Sequence, residues 1–119
     1  MERNRSAPPM LLLWEALLEE ILRRTSKFPV NYRHTLGERI ARLTLDGTEC
    51  IIEAQDPALR TAAIIQMSSV VDKVRLLVRV AHKLGPLDPT GYRLLSERID
   101  ELGRMVGGWL AVQRKRDEP

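Results

Sequence analysis

The chain carries one cysteine, two histidines and few aromatic residues, and it lacks any long apolar run. A single thiol, Cys50, excludes an intrachain disulfide, and its place among helically spaced apolar residues reads as a buried thiol in a reducing compartment. Neither His34 nor His82 has a glutamate three residues before it, so the paired Glu and His motifs of di-iron bundles are absent. The longest apolar run, Met10 to Trp14, falls far short of the roughly 20 residues that span a bilayer, so no membrane association is expected. Arg3 and Arg5 precede that run, but Glu15, Glu19 and Glu20 follow it and no small-residue cleavage site appears, which argues against a signal peptide. No glycine-rich phosphate loop joins a strand to a helix. These absences predict a cytoplasmic, non-catalytic protein without metal or cofactor.

What remains is helix-forming material. At 119 residues the chain is expected to be one domain over 1–119, near the size at which oligomerisation adds useful stability. Aromatic content of 4%, with a bias to Leu, Ala, Arg and Glu, favours helix over sheet. Prolines divide the sequence into four helical segments, predicted at about 10–26, 30–55, 57–84 and 89–113, with flexible ends at 1–8 and 114–119. Asp56 before Pro57 and Asp88 before Pro89 each read as an N-cap followed by a favoured first residue.

Each segment carries an apolar stripe. The first places Leu11, Trp14, Leu17, Leu18, Ile21 and Leu22 on one side, with Glu19–Arg23 and Glu20–Arg24 as candidate ion pairs. The second repeats Leu36, Ile40, Leu43, Gly47, Cys50, Ile51 and Ala54. The third repeats Ala63, Met67, Val70, Val74, Leu77, Ala81 and Leu84, and the fourth Tyr92, Leu95, Ile99, Leu102, Val106 and Trp109, both at heptad-like spacing. Connections of two to five residues between such helices make neighbours antiparallel, so the predicted fold is an all-α, up-down-up-down four-helix bundle. Val71, Val78, Val80, Met105 and Leu110 widen the stripes and suggest a second buried face, hence a homo-oligomer.

Charge supplies the candidate binding residues. The net charge of +3 permits an anionic partner. Arg75, Arg79, His82 and Lys83 recur at steps of three and four along the third helix, a spacing that follows a phosphate backbone. Arg33, His34, Arg39 and Arg42 add to them on the second helix, Arg104 on the fourth, and Arg114, Lys115 and Arg116 in the tail. The competing reading is a set of solvated faces with local pairs such as Asp100–Arg104 and Glu38–Arg42. The aromatic residues occupy apolar or junction positions, so any nucleic-acid contact is expected at backbone and shape rather than at bases.

The last segment holds an energetic anomaly. Gly103, Gly107 and Gly108 lie within six residues of a helix, where each glycine costs about 1 kcal/mol relative to alanine. Close helix approach, inside the bundle or between subunits, would explain Gly103, Gly107, Gly108 and the adjoining Trp109. Arg104 is then expected at the seam, with Asp100 as its partner.

The run Glu101, Leu102, Gly103, Arg104, Met105, Val106, Gly107, Gly108, Trp109, Leu110 resembles the terminal signature of the Avd family, the accessory variability proteins of diversity-generating retroelements. Lys27, Phe28, Pro29, then Arg33, His34, Thr35, Leu36, Gly37, and the run from Val74 to Arg79 add weaker matches, so that the resemblance spans about 11–113. It implies a homopentameric barrel of four-helix bundles that binds the retroelement reverse transcriptase and its template RNA in support of mutagenic reverse transcription. It also implies that the protein is not itself an enzyme. Arg75, Arg79 and Arg104 match the family pattern; Arg33, His34, Arg39 and Lys83 come from the charge pattern alone. A related reading is a structural or ribosome-associated bundle of the kind encoded in intervening sequences of 23S ribosomal RNA genes, with no polymerase partner.

Overall fold

A computed structural model describes residues 7–119, and the side chains from Pro9 onward. The expectations for residues 1–6, including Arg3 and Arg5, lie outside the described residues. Four long helices follow one another, with no strand among the described residues. Helix α1 is Ala7–Thr25. Helix α2 is composite, with one α-helical turn over Val30–Tyr32, a π-helical stretch over Arg33–Gly37 and an α-helical body over Glu38–Glu53. Helix α3 is Arg60–Leu84 and helix α4 is Pro89–Asp117. Each helix packs against its neighbour in sequence, and α1 closes the ring against α4, within extents of 50 × 20 × 19 Å. This is the up-down-up-down bundle that the connections predict.

The core follows the stripes. Trp14, Ile21, Ile40, Ile51, Ile64, Met67, Val74, Ile99, Leu102 and Val106 are all at most 2% exposed. Gly47 lies tight against the Trp14 ring of α1: a Cβ there would stand 2.5 Å from that ring and 3.2 Å from Val70. The π-helical stretch adds a residue to one turn and so shifts the phase of the helix before its regular body. It leaves Gly37 buried against Phe28, itself 2% exposed.

Several expectations are corrected. Leu22 and Leu84, assigned to stripes, are 44% and 55% exposed, because each sits near a helix end where the stripe has rotated past its neighbours. Val71 and Val78, read as a second face, are buried in the protomer's own core. Helix α3 starts at Arg60 rather than 57, because Asp56 accepts the Ala58 amide at 3.0 Å and closes a turn instead of capping a helix. Helix α1 begins at Ala7 rather than 10, and α4 continues to Asp117 through residues expected to be flexible. Asp88 does cap α4, accepting the Gly91 amide at 2.6 Å with Pro89 in the first helical position. Gly85, at φ 111°, ends α3 in the left-handed conformation.

Candidate nucleic-acid interface

The basic stripe on α3 divides by what holds each side chain. Arg75 stands 3.3 Å from Asp72 on its own helix and 3.4 Å from Asp100 on α4, so its charge is shared between two carboxylates. Its guanidinium lies over Gly103, where a Cβ would come within 2.9 Å of Nη2. Arg75 is thus a strut from α3 to α4, and Gly103 is the gap that lets it lie flat. His82 turns inward: Nδ1 is 3.0 Å from the Leu87 carbonyl oxygen, and the ring stacks on Tyr92 at 4.3 Å with an interplanar angle of 6°. Arg79 and Lys83 are exposed and take part in no ion pair among the described residues. Two of the four stripe members are therefore committed to structure and two are open to a ligand.

On α2 the same sorting applies. Arg33 donates from Nε to the Phe28 carbonyl at 3.2 Å, tying the π-helical stretch to the preceding connection. His34 pairs with Glu38 at 3.0 Å, which replaces the expected Glu38–Arg42 pair. Arg39 and Arg42 are exposed and enter no ion pair among the described residues. In α1, Glu20 binds both Arg23 and Arg24 at 2.7 Å, so the expected Glu19–Arg23 pair does not form.

Arg104 also departs from expectation. Asp100 faces α3 and takes Arg75, leaving Arg104 exposed without a charged partner among the described residues. A groove of about 300 Å³ runs between α3 and α4, lined by Ser68, Asp72, Arg75, Asp100, Gly103 and Arg104. It carries two cations and two anions, with Arg104 as the cation not already neutralised.

The glycine row is only partly accounted for inside one bundle. Gly103 seats Arg75, but a Cβ at Gly107 or Gly108 would meet nothing within 4 Å. Close packing within the protomer is therefore not the role of these two glycines, because both face open space. Trp109 points the other way and is buried in the core. Sequence spacing placed Gly47 in the stripe of α2, where it packs against Trp14, but it missed Gly91, which lies beneath the Arg24 guanidinium that also reaches Asp88 at 3.8 Å. It also missed Arg60, which is 9% exposed and donates to the carbonyls of Ala54 at 2.8 Å and Gln55 at 3.2 Å, closing the end of α2. Arginine at the start of a helix gives no sequence signal for such a contact.

The single thiol is not activated as a nucleophile. Burial pushes the Cys50 thiol up to about 11, helped by the nearby carboxylates of Glu53, Asp46 and Glu49, so it stays protonated at neutral pH. Among the described residues no three His, Cys, Asp or Glu side chains are grouped as metal ligands, and no helix is long and apolar enough to cross a membrane.

The sequence matches the family model described as bAvd-like over residues 11–113. No curated protein matches it.

Proposed function

Because the chain belongs to the bAvd-like family, we propose that it is a non-catalytic accessory protein of a diversity-generating retroelement, acting in the cytoplasm by binding the reverse transcriptase and template RNA through basic surfaces. The observation that carries this reading is the pair Arg79 and Lys83, exposed and uncompensated on one side of α3 while Arg75 and His82 beside them are held by the bundle. Cations without internal partners retain their full charge for phosphate or for acidic side chains of a protein. Arg104 is a further open cation of this kind on α4.

The protein acts as a homo-oligomer, a pentamer by family resemblance. Gly107 and Gly108 support this, since they carry the helix-propensity cost of about 1 kcal/mol each and gain no contact within the protomer. A neighbouring subunit supplies the missing contact.

The test is co-purification of the reverse transcriptase with wild-type protein and with the double variant Arg79→Ala, Lys83→Ala. The expected outcome is loss of polymerase or RNA association with an unchanged helical circular dichroism spectrum. Full retention of both partners would overturn the reading in favour of a structural bundle. In the genome, a reverse transcriptase gene with paired template and variable repeats nearby is expected; an enclosing ribosomal RNA gene would point to the intervening-sequence type.

A further inference from the structure

The charge order of α2 runs against the helix that carries it. A helix N-terminus favours acidic side chains and a C-terminus basic ones. Three of the four helices follow the second half of this rule, with Arg23 and Arg24 in the last turn of α1, His82 and Lys83 in that of α3, and Arg114, Lys115 and Arg116 in that of α4. Helix α2 has no basic residue in its last turn. Its basic side chains, Arg33, His34, Arg39 and Arg42, all lie at or before residue 42, interrupted only by Glu38, and Asp46, Glu49 and Glu53 lie after them. Helix stability does not account for this order, and pairing does not either: Glu38 is held by His34, while Arg39 and Arg42 stand exposed one turn apart without an ion pair among the described residues. The outer nitrogens of Arg33 add to the patch, because Arg33 uses Nε on the Phe28 carbonyl. On α1, which packs against α2, Glu19 is exposed and Glu20 is occupied by Arg23 and Arg24, and on α2 itself Asp46 follows Arg42 by four residues.

We infer that the outer face of α2 from Arg33 to Arg42, with Arg39 and Arg42 at its centre, is a docking surface for the phosphate backbone of RNA, separate from the Arg79 and Lys83 surface of α3. This rests on the proposed accessory role and assigns the RNA half of it to α2. The occupant is a polyanion because Arg39 and Arg42 are exposed without an ion pair among the described residues and Arg33 adds a third exposed cation on the same stretch of α2. Binding reads backbone rather than sequence, and its salt dependence counts the cations engaged.

The probe is a short fluorescein-labelled single-stranded RNA, titrated by anisotropy over a range of salt concentrations against the full chain. Variants are Arg39→Ala with Arg42→Ala, Arg79→Ala with Lys83→Ala, and Lys73→Ala with Arg93→Ala, two exposed cations on α3 and α4, as a control of equal charge change. The α2 variant is expected to bind at least about tenfold more weakly, with the slope of log affinity against log salt shallower by about 1.4 for two lost contacts. The Lys73 and Arg93 control is expected to keep the wild-type slope. The α2 variant is also expected to melt at the wild-type temperature or above, since it relieves cations placed at the wrong end of the helix; a role in holding the bundle would lower it. An unchanged slope and affinity in the α2 variant, with RNA binding lost in the α3 variant, would overturn the inference while leaving the proposed function standing. Loss of reverse transcriptase but not RNA in the α2 variant would also overturn it, because the face would then bind protein. Wild-type protein that binds no RNA would overturn both.

Discussion

Gly47 and Gly107 are both helical glycines, yet an added methyl group meets opposite surroundings at the two positions. At Gly47 it would stand 2.5 Å from the ring of Trp14, which is fully buried and cannot swing aside. Gly47→Ala is therefore expected to destabilise the bundle by about 1–3 kcal/mol in urea unfolding, the overpacking strain outweighing the gain in helix propensity. At Gly107 the space is open, so Gly107→Ala is expected to stabilise the isolated bundle by up to about 1 kcal/mol in the same measurement. Cys50 gives a pH-dependent counterpart. Its folded pKa lies above its ordinary value of 9.0, at about 11, so the folded state holds the proton more tightly than the unfolded chain. That stability is fully present below about pH 9 and is lost as pH rises toward 11, with a slope of at most about 1.4 kcal/mol per pH unit. Denaturation midpoints measured across that window are expected to fall more steeply for the native chain than for Cys50→Ala.

The Asp-Pro dipeptide occurs twice, and only one copy caps a helix. Asp88 reaches the Gly91 amide and starts α4, whereas Asp56 reaches the Ala58 amide and makes a turn, with α3 beginning at Arg60. Beside the Asp56 turn, Arg60 folds back onto the carbonyls of Ala54 and Gln55 just beyond α2. Arg60→Met keeps much of the apolar stem and removes the donors, so it is expected to cost about 1–3 kcal/mol in thermal unfolding. Asp88→Ala is expected to cost about 1 kcal/mol by loss of the cap. Helix number, polarity and most core positions were legible because they repeat along the chain. The end positions Leu22 and Leu84 were not, because the stripe continues in sequence after the neighbouring helix has rotated away from it.

For the whole molecule, the distribution of charge and of unfilled surface matters more than its total. Native mass spectrometry is expected to show a homo-oligomer, and Gly107→Leu to yield a folded bundle that no longer assembles, since the protomer has room for the added side chain and a close subunit contact does not. An assembled Gly107→Leu protein would show that the glycine row is not a subunit contact. The sequence by itself determined four amphipathic helices, their antiparallel order, the buried stripes and a terminal segment specific enough to suggest the family. The helices, their order and the stripes follow from local periodicity and short connections, while the family rests on the resemblance of the run from Glu101 to Leu110. Only the tertiary structure decided which cations remain available. Asp100 sits four residues before Arg104, yet it is taken by Arg75 from another helix because Gly103 leaves space for the guanidinium to cross. Pairing between helices depends on their relative register and on the gaps between them, and neither quantity is written in the spacing of residues along one helix.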